Sequence, residues 1–210
     1  MKSVSVVEGQ MVPLPHANID TDQIIPKQFL KGVKRTGLGP NLFYDWAHDE
    51  EGEVVSGFVL NRPEYAEAAV LVAGPNFGCG SSREHAVWSL ADAGFEAILA
   101  PSFGPILENN CYQNGLLPVV LADDDAEEFA KLAADPANSV TIDLPAQRVS
   151  SGDFTAGFEI DPHVKERLLN GWDQVDITLQ SVADIDAYES SRPRFMPALG
   201  SKSAPILRGL

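Results

Sequence analysis

From residue 69 onward the chain alternates between short, wholly apolar runs and segments whose apolar residues fall at helical spacing. Ala69-Val70-Leu71-Val72-Ala73 is the first such run, and its shortness and β-branched content predict a buried strand. Ala86 to Ala93 reads as the body of a helix over 83–93 that stops at Gly94. The pattern then repeats as a strand over 95–100, a helix over 105–113 and a strand over 116–121. Alternation of this kind predicts βαβ units around a parallel sheet, and so an α/β fold.

The flanks are less regular. Pro13, Pro15, Pro26 and the turn Gly37-Leu38-Gly39-Pro40 break the N-terminal region into expected short strands, and residues 41–57 read as an acidic loop. Asp123 or Asp124 is expected to cap a helix running through Ala134, in which Ala126, Phe129, Ala130 and Ala133 keep helical spacing. Val140–Leu144 and Phe158–Ile160 predict a β-pair joined by a turn near Ser151-Gly152-Asp153. Pro162 predicts a helix start and Gly171 its end, with a further helix over 182–190. Residues 1–196 read as one domain, and 197–210, with Gly200, Ser201, Lys202, Ser203 and Pro205, as a disordered tail.

Candidate chemistry concentrates between the first strand and helix of the regular region, in Gly78-Cys79-Gly80-Ser81-Ser82-Arg83-Glu84-His85-Ala86. Loops that lead from a strand into a helix are where α/β proteins hold ligands. The first amides of a helix lack intrahelical partners and sit at the positive end of the macrodipole, so they favour anions. A substrate carboxylate held by Ser82 and a two-pronged Arg83 is one such anion. The Ser81 oxygen as an alkoxide, a strong base, is another. A purely structural alternative also fits, because Ser81-x-x-Glu84 matches a capping box. No Gly-x-Ser-x-Gly elbow surrounds either serine, and no Gly-Lys-Ser or Gly-Lys-Thr follows the glycines, which disfavours a serine hydrolase and a phosphate loop.

Charge narrows the partners. The 210 residues carry a formal charge of −15, which argues against nucleic acid or an anionic membrane surface. Lys27, Lys31, Lys34 and Arg35 form a basic island with no acidic residue among them, the kind of local charge that would let a dicarboxylate approach. Scattered lysines on an exposed helix face are the plain alternative. Two cysteines, Cys79 and Cys111, with no Cys-x-x-Cys pair and no secretory signal, fit a reducing cytoplasm. No apolar run approaches the ~20 residues that span a bilayer. His16, His48 and His163 lack metal-ligand spacing, and His85 reads as structural.

Five motifs occur in order: Asn18-Ile19-Asp20-Thr21-Asp22-Gln23-Ile24-Ile25-Pro26, Arg35-Thr36-Gly37-Leu38-Gly39, residues 74–86, Ala100-Pro101-Ser102-Phe103, and Asn114-Gly115-Leu116-Leu117-Pro118. Together they resemble the 3-isopropylmalate dehydratase small-subunit family of the aconitase superfamily, over most of the chain from about His16 to about Phe195. The resemblance implies a swivelling β/β/α domain like the mobile C-terminal domain of aconitase, a topology that periodicity alone does not give.

By the same resemblance Ser81 is the base, Ser82 and Arg83 bind a substrate carboxylate, Arg35 binds another, and Asp22 lies in the active site. Asp22 also fits a turn, since Asp20-Thr21-Asp22 is good turn chemistry. The implied activity is that of a hydro-lyase in leucine biosynthesis, with specificity expected in residues 29–38. A cluster of the aconitase kind needs three thiolates, so this chain is expected to bind no cofactor. The [4Fe-4S] cluster is expected on a large catalytic subunit, the implied partner. Cys79 is expected to be a small buried residue. Citraconate, dimethylmalate and homoaconitate dehydratases have similar small subunits, and a non-catalytic assembly or regulatory domain is a further alternative.

Overall fold

The computed structural model describes residues 1–31, 34–81 and 83–192. Ser82, Gly32, Val33 and the expected tail at 197–210 lie outside the described residues. By contact the chain divides into two compact units, Met1–Gly171 and Trp172–Leu210.

The first unit is built on a seven-stranded mixed sheet. Its strands are β1 (Val6–Leu14), β2 (Ala68–Ala73), β3 (Ala97–Ala100), β4 (Leu117–Val120), β5 (Ser139–Asp143), β6 (Arg148–Ser151) and β7 (Phe154–Gly157). They lie in the order β4-β3-β2-β1-β5-β6-β7. Pairing is parallel from β4 through β1 and antiparallel from β1 through β7. The helices are α1 (Thr21–Ile24), α2 (Tyr44–Ala47), α3 (Glu84–Asp92), α4 (Pro105–Asn114), α5 (Asp123–Ala133) and α6 (Pro162–Asn170). In the second unit, α7 (Gln174–Leu179) and α8 (Val182–Ser191) are the described elements.

The wholly apolar character of β2 and β3 follows from burial on both faces. Leu71, Ala73, Ile98 and Ala100 join Val12 and Leu14 in a core with Val87, Leu90 and Leu107 of α3 and α4. Val70, Val72, Ala97 and Leu99 point the other way, into a core with Met11, Phe129 of α5 and Leu168 of α6. A period of two along each strand therefore feeds two separate cores.

Several expectations are corrected. Among the described residues the N-terminal region holds one nine-residue strand rather than several short ones, because Pro13 sits near the end of β1 and does not break it. The acidic segment at 41–57 contains α2. Ala122, not Asp123 or Asp124, is the N-cap of α5; the three aspartates occupy the first turn, where they complement the helix dipole. Residues 140–144 do not pair with 158–160. Strand β6 lies between β5 and β7, and the turn at Gly152 joins β6 to β7. Helix α7 escaped the sequence reading. The start and end of α6 agree: Asp161 accepts from the His163 and Val164 amides at 2.8 and 3.2 Å, and Gly171 closes it at φ 68°.

Candidate active site

The carboxyl ends of β1, β2 and β3 point the same way, so the three loops that leave them meet. The loop after β2 docks on the loop after β1 as a continuation of the ladder. The Gly78 amide donates to the Ile19 carbonyl at 2.7 Å, the Thr21 amide to the Cys79 carbonyl at 3.0 Å, and the Asn18 amide to the Pro75 carbonyl at 2.9 Å. On its other side the same loop meets the segment after β3, where Phe77 donates to Ser102 and Gly104 donates back to Phe77. Asn18 and Asn76 both sit at φ 58°, a left-handed conformation that asparagine tolerates. The Asn76 side chain donates to that of Asn18 at 2.8 Å. This backbone frame fixes where Ser81 emerges.

Ser81 is exposed, and its carbonyl accepts from the hydroxyl of the buried Thr21 at 3.2 Å. Arg83 is the N-cap of α3, extended at φ −131°, ψ 104°, and its side chain is 21% exposed. The Arg83 guanidinium donates to the Asp22 carboxylate, an ion pair across the two docked loops. Turn chemistry falls instead to Asp20, which caps α1 in a capping box with Gln23. Asp22, in the first turn of α1, faces Arg83 instead.

The capping-box reading of Ser81 meets a different geometry, because the cap position belongs to Arg83. The Glu84 carboxylate accepts from Asn114 Nδ2 at 3.0 Å and Trp88 Nε1 at 3.3 Å. Arg35 approaches the same carboxylate at 4.0 Å, with its guanidinium 5.4 Å from the Trp88 ring centroid. The structure therefore brings Ser81, Asp22 and Arg83 to one loop pair and Arg35 onto the first turns of α3. The link through Glu84, Trp88 and Asn114 was not read from sequence: Asn114 before Gly115 looks like an ordinary helix end, which it also is.

Lys27, Lys31 and Lys34 are exposed, with Lys27 in a single 3-10 turn rather than on a helix face. Cys79 is half-buried rather than buried, its thiol 3.5 Å from the Asn18 carbonyl. Cys111 is the enclosed cysteine, and burial pushes its thiol well above the ordinary range. Two thiols, one of them sealed in the core, do not fit a three-thiolate cluster site on this chain. Among the described residues no group of three or more His, Cys, Asp or Glu side chains could hold a metal ion. His85 lies against Trp88, their ring centroids 4.6 Å apart and the planes tilted by 50°.

A mixed sheet with this loop pair at its parallel end is an aconitase C-terminal domain, and the family of that description matches residues 1–124; a second family, LeuD_N, matches residues 129–162. Named 3-isopropylmalate dehydratase small subunits are similar over nearly their whole length. The one from Phenylobacterium zucineum is 51% identical, over 95% of this chain and 98% of its own. That from Magnetococcus marinus is 49% identical, over 90% and 94%. A crystal structure of 3-isopropylmalate dehydratase from Methanocaldococcus jannaschii superposes with a TM-score of 0.63 at 26% identity, covering 88% of this chain and 99% of the other. The chain belongs to the 3-isopropylmalate dehydratase small-subunit family of the aconitase superfamily.

Proposed function

We propose that this chain supplies one half of a split dehydratase site that converts 2-isopropylmalate to 3-isopropylmalate in leucine biosynthesis, in the cytoplasm, by loss and return of water. The observation that carries this reading is the Arg83–Asp22 ion pair held beside Ser81 by the two docked loops. Asp22 accepts from one guanidinium nitrogen and leaves the rest of the fork to receive a substrate carboxylate in two-pronged fashion. Ser81 takes the proton from the carbon next to the hydroxyl-bearing one. As an oxyanion it is stabilised by the adjacent helix N-terminus and by positive charge, and the serine returns the proton when water adds back. Ser82 assists carboxylate binding, and Arg35 receives the second carboxylate.

Ser81 and Asp22 both lie open to solvent, where a strong serine base is untenable. A second surface must cover the site, which supports a large catalytic subunit as partner. That partner is where the three thiolates of a [4Fe-4S] cluster belong, since this chain lacks them; the Lewis acidity that loosens the substrate hydroxyl comes from there. Discrimination for the isopropyl group falls to residues 29–38.

The test is anaerobic turnover of 2-isopropylmalate and citraconate by this subunit mixed with its iron-reconstituted partner. Activity on 2-isopropylmalate in the mixture alone, abolished by Ser81→Ala without loss of assembly, is the expected result. Wild-type turnover by Ser81→Ala would remove Ser81 as base, and preference for citraconate would reassign the substrate.

A further inference from the structure

Arg35 stands on an exposed loop, 68% exposed at its side chain, with too little of its own packing to hold a guanidinium in one place. What fixes it is a small construction on α3 and the end of α4. The Trp88 indole presents its ring 5.4 Å from the Arg35 guanidinium carbon, and the Glu84 carboxylate lies 4.0 Å from Nη2. Neither is free to swing. Asn114 Nδ2 donates to Glu84 Oε1 at 3.0 Å, while Asn114 Oδ1 accepts from Trp88 Nε1 at 3.1 Å. One amide thus bridges both groups that touch the arginine, and it is itself tied to its helix by a 2.9 Å bond to the Asn110 carbonyl.

The backbone supports the same placement: the Asp92 carboxylate at the end of α3 accepts from the Leu38 and Gly39 amides, each at 2.7 Å. The segment carrying Arg35 is therefore anchored to α3 at both ends of that helix. Because Arg83 caps α3, one helix sets the positions of both proposed carboxylate-binding arginines.

We infer that Trp88, by its own contact, and Asn114, acting through Trp88 and Glu84, are positioning residues that hold Arg35 in register with Arg83 and so determine how tightly the two-carboxylate substrate is bound. The inference rests on the proposal that Arg35 receives a substrate carboxylate. A cation over an indole and an exposed ion pair are each weak, so releasing both should shift binding by roughly three- to ten-fold rather than abolish it.

The experiment is steady-state kinetics of the assembled two-subunit enzyme carrying Asn114→Leu, Trp88→Phe, Arg35→Ala or the Arg35→Ala/Asn114→Leu pair, with assembly and melting temperature recorded for each. Asn114→Leu should raise KM by that factor with kcat within about two-fold, and Trp88→Phe, which keeps a ring face and loses Nε1, should act in the same direction but less. Arg35→Ala should raise KM further, and the double variant should match Arg35→Ala alone, since nothing remains to be positioned. Additive effects in the double variant, or a fall in kcat with KM unchanged, would overturn the inference while leaving Arg35 as a substrate contact. An unchanged KM in Arg35→Ala would remove the underlying reading as well.

Discussion

Gly104 sits where the loop after β3 presses on the serine loop, and it offers a direct test of whether that frame positions Ser81. A Cβ added at Gly104 would lie 2.4 Å from the Gly78 carbonyl oxygen, 2.8 Å from its carbon and 3.0 Å from Cys79 Cα. These are backbone atoms with no rotamer to change, so the serine loop itself must retreat. Gly104 has φ −62° and ψ 127°, which alanine adopts freely, so Gly104→Ala acts through sterics and not through backbone strain. Overpacking of this kind costs about 1–3 kcal/mol. At about 2–4 °C per kcal/mol for a domain of this size, the melting temperature should fall by several degrees. A retreat approaching 1 Å at the reacting group also lowers turnover by about 10²-fold in the assembled enzyme. Gly57→Ala is the control, since nothing lies within 4 Å of its Cβ. Differential scanning fluorimetry and turnover of both variants decide the matter. A Gly104→Ala protein with the stability and turnover of Gly57→Ala would refute the claim that this contact sets the serine loop.

Two further outcomes follow from titratable groups. Under native conditions a thiol-alkylating reagent should label the half-buried Cys79 and spare Cys111, which is enclosed and whose thiolate is disfavoured by burial; mass spectrometry showing equal labelling of both would contradict the core packing around α4. Asp173 accepts from the Asp176 and Val175 amides as the cap of α7, and these bonds hold its carboxyl below the usual range. A depressed native pKa means that the cap's contribution is complete above the ordinary aspartate value and disappears as pH falls through the native one. In an NMR titration the Val175 and Asp176 amide signals should therefore move below the ordinary aspartate range, and a midpoint at or above it would rule the cap out.

The parallel half of the sheet was legible because its strands are buried on both faces, which leaves uninterrupted apolar runs such as Ala69 to Ala73 that no solvent-exposed element shows. The antiparallel half was not. Arg148-Val149-Ser150-Ser151 buries only alternate side chains, and with two serines it reads as turn material beside Gly152, so β6 was missed and β5 was joined instead to residues 158–160, which lie beyond β7. Pro13 misled in the opposite direction. Proline normally marks the end of a strand, yet here it stands one residue before that end, and a nine-residue strand carries it.

At the site, the types of residue were legible but their division of labour was not. Asp20 and Asp22 flank one threonine and offer identical chemistry; only the start of α1 decides that Asp20 caps while Asp22 turns to Arg83. Ser81 and Glu84 have capping-box spacing, but that spacing assumes the helix begins just after Ser81. It begins at Glu84, with Arg83 as cap, so Glu84 projects sideways to Asn114 and Trp88. Against the capping-box alternative the helix starts two residues later, which leaves the Glu84 carboxylate beside Asn114, Trp88 and Arg35. The helix start itself was legible to within one residue from the spacing over 83–93; what no local pattern encodes is the docking of residues 75–81 onto the loop after β1, a contact between segments some 60 positions apart, as the Thr21–Ser81 bond illustrates.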